Sequence, residues 1–383
     1  VGEDTFENVI PFLTGLNIPE LKLLCWPNVS SPFDDCPFIW KKFSDAGYIT
    51  AFADDASDVS MFNRGKKGFL KPPTDYYLRP YFLFGDHIFS SPSEQCYGNQ
   101  LKTEKLLEYV SKFIIMKKKK YFGVFWETNL THNELNYPEI ADEMLYNFIN
   151  SIKSQLNNTV LIFMSDHGTR IGEFVETYQG YLENRLPLLS FIFPKWFQEN
   201  YKLAMKNLKE NTRLLSTHFD LHETLLDMLD LTSIEDGKSL FLPIPENRNC
   251  TEAGISVHWC TCNPIKKQTS KNYLFYFLSR KLVEFINNEI KNFIYCSRLE
   301  LLKLKDIRIH TSPQTNDVIS YYLIVETFPG NAVFGGTIRT FNTDNTFHLR
   351  KGDVERLNRY GNQSLCIKDQ NSYYHSFCYC KDI

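Results

Sequence analysis

The chain has 383 residues, 43% of them hydrophobic and 23% charged, with a formal net charge of −3. That is enough apolar material for a large core and two domains, and too little positive charge for a surface that recognises nucleic acid or anionic lipid. No apolar run approaches the roughly 20 residues needed to span a bilayer, and no secretory leader is visible. The chain opens in mid-motif at Val1 and is expected to be the N-terminally truncated piece of a longer protein,.

Residues 6–14 predict a helix. Phe6, Val9, Ile10 and Leu13 recur at helical spacing, Asp4 and Glu7 resemble a capping box, and Gly15 stops the helix, while Pro11 weakens its second half,. Thr5 stands at the helix entry, where free amides and the dipole favour an anion. Its hydroxyl reads as an N-cap or, beside a metal ion, as a nucleophile. A second helix is expected over 35–46 and a strand over 48–53, leading to Asp54 and Asp55. Those carboxylates read as turn residues or as groups near a strand-end cleft,. Residues 64–100, rich in Gly, Pro and aromatics, predict a long irregular excursion, and Lys117–Lys120 a solvated helix end.

A strand over 121–126, a helix from Pro138 carrying Ile140, Met144, Leu145, Phe148, Ile149 and Ile152, and a strand over 159–164 form a βαβ unit. Such a unit implies a parallel sheet,. The second strand is unbroken by charge, as a strand buried on both faces would be, and runs into Ser165-Asp166-His167-Gly168-Thr169. Open α/β sheets place ligands at this edge, and Asp oxygen with His nitrogen suits a zinc-like ion. Residues 186–193 predict another buried strand, and 218–229 a helix with Phe219, His222, Leu225 and Leu226 near one face.

Beyond Pro245 the character changes. Seven of the ten cysteines follow residue 249, residues 266–291 predict one aromatic-rich helix, and 320–326 and 337–341 short strands. The boundary is placed at 249/250, between an α/β core and a smaller cysteine-rich lobe. An even cysteine count with five sequons, at Asn28, Asn129, Asn157, Asn249 and Asn362, favours an extracellular or secretory compartment and disulfides,. The competing structural zinc reading of Cys260-Thr261-Cys262 and Cys378-Tyr379-Cys380 lacks the usual C-x-x-C spacing. His87, His258, His310, His348 and His375 lie outside any metal-like context and read as surface or packing residues.

Several ordered segments resemble one superfamily. Thr5 followed by Leu13-Thr14-Gly15 is similar to the sulfatase nucleophile motif and its L-T-G. Gly47-Tyr48-Ile49-Thr50-Ala51 resembles G-Y-x-T-A, and Ser165-Asp166-His167-Gly168 resembles the S-D-H-G metal motif. Glu183-Asn184-Arg185-Leu186-Pro187 resembles E-x-R-x-P. The run His218-Phe219-Asp220-Leu221-His222-Glu223-Thr224-Leu225-Leu226 resembles H-x-D-L-x-x-T-L-L, and Gly237-Lys238-Ser239-Leu240 resembles D-G-x-S-L. The chain thus resembles the alkaline phosphatase and sulfatase superfamily. It is most similar there to a family of large secreted or membrane-tethered nematode and insect proteins, whose segments Gly68-Phe69, Pro73-Thr74-Asp75-Tyr76-Tyr77 and His258-Trp259-Cys260-Thr261-Cys262 resemble.

The resemblance implies a doubly wound, mostly parallel α/β sheet with helices on both faces, and one or two divalent metals: zinc, with manganese or calcium as alternatives. Thr5 matches the nucleophile and a metal contact, and Asp166 and His167 match metal ligands. His218 matches a second-metal or anion-contacting histidine, and His132, in Thr131-His132-Asn133, the histidine that binds substrate or metal. Asp142 is a further candidate whose alternative is a solvated helix carboxylate. Threonine at this position resembles phosphodiesterases, nucleotide pyrophosphatases and phosphoethanolamine transferases. The sulfatase Pro and Arg after the nucleophile are replaced by Glu7-Asn8-Val9, and G-K-W-H by Phe52-Ala53-Asp54-Asp55. The implied function is metal-dependent hydrolysis or transfer of a small-molecule, glycan or lipid phosphate ester. Its alternatives are an inactive extracellular ectodomain on the same fold and a sulfuric ester hydrolase.

Overall fold

The computed structural model describes residues 1–57, 60–89, 95–116, 119–132, 134–231, 238–262, 265–268, 272–311, 318–341, 346–368 and 372–381. Lys117, Lys118, Asn133 and Gly237, named above, lie outside these residues. In chain order the elements are α1 (Thr5–Thr14), α2 (Ile18–Leu24), α3 (Ile39–Asp45), β1 (Ile49–Asp54), β2 (Tyr76–Tyr77), α4 (Arg79–Ile88), β3 (Cys96–Tyr97), β4 (Gln100–Leu101), α5 (Lys102–Met116), β5 (Tyr121–Trp126), α6 (Pro138–Ile152) and β6 (Leu161–Met164). There follow α7 (Glu173–Glu176), α8 (Tyr178–Arg185), β7 (Leu189–Ile192), α9 (Lys195–Asn200), α10 (Lys202–Asn211), α11 (His218–Leu229), β8 (Ile265–Lys267) and α12 (Tyr273–Ile290). The last are β9 (Glu300–Thr311), β10 (Val318–Phe328), β11 (Ala332–Phe341), β12 (Phe347–His348), β13 (Val354–Arg356) and α13 (Ser372–His375). The chain divides into two compact units, one of residues 4–166 and 188–246, the other of 1–3, 167–187 and 247–383.

The first unit is built on a parallel sheet in the order β2-β1-β5. Its central strand β1 alternates between two cores. Phe52 joins Val9, Ile10, Leu13, Trp40, Leu221 and Leu225 from α1, α3 and α11, while Ala51 and Ala53 join Leu106, Val110, Phe113, Phe148 and Ile152 from α5 and α6. Helices therefore cover both faces of this sheet, which is why β1 is buried at nearly every position rather than at alternate ones,. α1 starts where the Asp4 carboxylate accepts the Glu7 amide at 3.1 Å and ends at Gly15,. Gly15 has φ +72°, and a Cβ there would lie 2.9 Å from the His222 ring, so backbone and packing both call for glycine,. The helix continues through Pro11, against the expected weakening.

Several expectations change. The 64–100 stretch is not irregular throughout: it holds α4, with Pro80 in its first turn, where a missing amide costs nothing,. The expected helix at 35–46 is confined to α3. The strand expected at 186–193 shortens to β7, which is not buried: Leu189 and Ile192 are 36% and 37% exposed. β7 pairs antiparallel with β6, so among the described residues the β5-α6-β6 unit does not pair its own strands.

The second unit is an antiparallel sheet ordered β8-β9-β10-β11-β12, with β13 also on β11. One face packs Leu304, Ile307, Leu323, Val325, Phe334 and Ile338 against Leu278, Leu282, Val283 and Ile286 of α12. That helix is shorter than expected, because 265–267 is strand β8. The other face carries Arg308, His310, Tyr322, Thr337 and Glu355, all buried. Disulfides Cys296–Cys378, Cys366–Cys380 and Cys250–Cys260 all lie in the 247–383 segment of this unit, and Cys25–Cys36 belongs to the first unit. Four disulfides fit an extracellular protein. No helix of the described residues is long and apolar enough to cross a membrane.

Candidate functional site

Thr5 is the first helical residue of α1, at the end where backbone amides lack intrahelical partners,. A cation that sequence reading missed stands beside this end. Lys66 places Nζ 4.4 Å from the centre of the Phe6 ring and donates to the carbonyls of Met61 and Arg64 at 3.3 and 3.2 Å. Burial lowers its pKa, partly opposed by the Asp4 carboxylate. The only signal in the sequence is a basic pair, Lys66-Lys67, in a turn-rich stretch.

Asp166 follows β6. The preceding residue clamps the strand pair, because Ser165 N–H donates to Leu188 O and Leu188 N–H to Ser165 Oγ, both at 2.9 Å. His167 opens a segment of the other unit, with Nδ1–H donating to Gly168 O at 2.7 Å. Gly168 is pressed on the chain at Glu183, and a Cβ there would come within 2.3 Å of the Glu183 carbonyl oxygen. His218 is the first residue of α11, only 8% exposed, behind a capping box in which the Asp220 carboxylate accepts the Thr217 amide at 2.7 Å,. One turn on, His222 Nδ1–H donates to Phe12 O at 2.9 Å, and burial lowers the pKa of its ring. Thr5, His132, Asp166 and His218 belong to the first unit. Among the described residues, the groups of three or more His, Cys, Asp or Glu ligand atoms within 4.8 Å of one another are both cysteine groups, Cys250/Cys260/Cys262 and Cys296/Cys366/Cys378, and each contains a disulfide.

Asp54 and Asp55 prove to be fully buried supports. Asp54 accepts the amides of Ala56 and Met61 at 3.1 and 3.2 Å, and Asp55 those of Thr128 and Asn129 at 2.7 and 3.0 Å. Glu127 accepts the Leu130 amide at 2.7 Å and the Thr103 hydroxyl at 3.0 Å. Together these carboxylates shape the turn that ends at His132, whose amide closes it by donating to Thr128 O at 3.0 Å. Burial, with Glu127 adding repulsion, raises Asp54 to about 7, and burial with Glu127 and Asp54 raises Asp55 well above the usual carboxylate range,. His132 and Asp142 are exposed.

In the second unit two motif segments meet on one carboxylate. Arg185 Nη2 lies 2.6 Å from Glu355 Oε1, and its guanidinium lies over the Tyr181 and Trp259 rings at 3.9 and 4.7 Å. His258 Nε2 lies 3.3 Å from the same oxygen, and its Nδ1 is 2.8 Å from Thr337 Oγ1. Burial alone would raise Glu355, but Arg185 and His258 hold it well below the usual range. His310, expected to be bland, is pushed down to about 4 by burial and by the nearby positive charges. The E-x-R-x-P arginine is thus a buried fastening whose acidic partner, Glu355, no motif reading found.

Mixed α/β architecture, a small parallel sheet, an antiparallel C-terminal sheet and disulfides define the class. The chain belongs to the family described as protein of unknown function (DUF229), whose profile matches residues 1–305. No curated protein and no solved structure matches it.

Proposed function

We propose that this chain is a metal-dependent phosphate ester hydrolase or transferase of the alkaline phosphatase and sulfatase type, with Thr5 as nucleophile. The observation that carries this reading is the state of His167. Its Nδ1–H donates to the Gly168 carbonyl at 2.7 Å, which fixes the ring tautomer and makes Nε2 the nitrogen that bears the lone pair, the arrangement that second-partner contacts set in metal-binding histidines,. Helices on both faces of a parallel sheet, and an aspartate at the carboxyl end of a strand, support the same reading,.

Asp166, His218 and Thr5 of the first unit, with His167 next in the chain after Asp166, are the oxygen and imidazole donors that would suit zinc, with manganese or calcium as alternatives,. A divalent ion there supplies Lewis-acid polarisation of the phosphoryl group and eases ionisation of a hydroxyl. Thr5 Oγ attacks phosphorus in line as the ester P–O bond breaks toward the leaving alcohol. The amino end of α1, with the Lys66 ammonium and His132, offsets the charge on the phosphoryl oxygens. Water or an acceptor alcohol then cleaves the threonine–phosphate bond. The substrate is a small-molecule, glycan or lipid phosphate ester met outside the cell.

Thr5→Ala is expected to lower turnover of an aryl phosphodiester by about 1000-fold or more while the bound metal, read by elemental analysis, stays in place. Undiminished turnover removes Thr5 from the chemistry. A wild-type protein with neither metal nor turnover supports the inactive ectodomain instead.

A further inference from the structure

Four disulfides leave two free thiols, Cys96 and Cys262, both exposed. Cys262 is not isolated. Its sulfur and those of the bonded pair Cys250–Cys260 all lie within 4.8 Å of one another. The bonded pair is buried, at 7% and 4% exposure, while Cys262 faces solvent. The loop they close is held by its own turns. Asn249 and Glu252 cap each other at 3.0 and 3.2 Å, and the Ile255 amide donates to Cys250 O at 2.7 Å. The backbone around Cys250 and Cys260 is therefore held by turns, the Cys260 amide donating to Val257 O at 3.3 Å, that do not depend on which pair is bonded.

We propose that Cys262 is the nucleophile of an intramolecular thiol–disulfide exchange. Its thiolate attacks the Cys250 sulfur, the Cys250–Cys262 bond forms, the Cys250–Cys260 bond breaks, and the electron pair leaves on Cys260, which takes up a proton. One thiol and one disulfide are present before and after, so no oxidant or reductant is consumed. Attack on Cys260 instead would close a ring across Thr261 alone, which assigns Cys250 as the target. The new bond moves the end of the closed loop only from Cys260 to Cys262, a negligible change in chain entropy,. The released Cys260 thiol sits in the interior, where a free cysteine behaves as a small apolar side chain. Exchange thus moves one of the two free thiols from solvent to the interior, next to Trp259 in the chain, and leaves Cys96 exposed. The exposed-thiol isomer can react with outside disulfides, and the other is shielded from them. Burial raises the Cys262 pKa, so the rate should climb roughly tenfold per pH unit below it,.

The test is a disulfide map. Wild-type protein from a secreting host is held at pH 7 and pH 8.5, acid-quenched, alkylated with N-ethylmaleimide, digested without reduction and analysed by mass spectrometry. The expected result is both Cys250–Cys260 and Cys250–Cys262 peptides, with label shared between Cys262 and Cys260 and equilibrium reached faster at pH 8.5. Cys262→Ser should show the Cys250–Cys260 link alone, and Cys260→Ser the Cys250–Cys262 link. Label confined to Cys262 after prolonged incubation at pH 8.5 overturns the proposal, as does Cys262 bonded to Cys96. The wild-type map decides even where Cys260→Ser does not fold.

Discussion

The two units bury carboxylates in opposite ways. At the ends of β1 and β5, Asp54, Asp55 and Glu127 gather with backbone amides and hydroxyls as their hydrogen-bond partners, so burial and mutual repulsion raise the first two. On the antiparallel sheet, Glu355 is as deeply buried but faces Arg185 and His258, and is lowered. A buried acid is thus defined by its partner more than by its depth. The first arrangement favours the protonated state, and the second depends on ionisation.

Removing the partnered acid should have the largest effect. Glu355→Ala leaves Arg185 buried without its counter-ion and is expected to destabilise the protein by about 3–5 kcal/mol, read by urea unfolding; a loss near zero would mean the pair contributes nothing. The next effect is on pH. Asp54 is raised to about 7, so the stability it contributes is complete below its ordinary value and lost as pH rises through 7,. Glu355 is lowered, so its contribution is present above the ordinary carboxyl range and lost in stronger acid. For these two carboxyls together, stability should therefore peak between their ordinary values of 3.8 and 4.5 and fall on either side,. Asp54→Asn should flatten the fall between pH 3.8 and about 7, at about 1.4 kcal/mol per unit of pKa shift removed; an unchanged slope in melts across that range would transfer the effect to Asp55. The smallest effect lies outside both acid clusters. Gly15→Ala, forced to φ +72° and against His222, should cost about 1–2 kcal/mol in the same melts,.

Legibility followed the same divide. α11 is read at its observed bounds because its apolar residues repeat at helical spacing, and β5 because it is short, apolar and aromatic. α5 was equally legible from Leu106, Val110, Phe113 and Ile114, yet went unassigned. β7 misled because an apolar run does not report whether it is covered. Nor could sequence reveal that Asp55 accepts amides 73 and 74 positions away, or that Arg185 meets Glu355 across 170 positions. Lys66 beside α1 was invisible for the same reason: its role depends on a turn, not on a motif.

The two-faced antiparallel sheet has a consequence for how it assembles. Slipping one strand by a single position would turn its charged side chains toward α12 and its aliphatic ones toward the ionic face. Either error would strand Arg308 or Glu355 in hydrocarbon. Mispaired strands are thereby rejected electrostatically, before close packing has a chance to sort them.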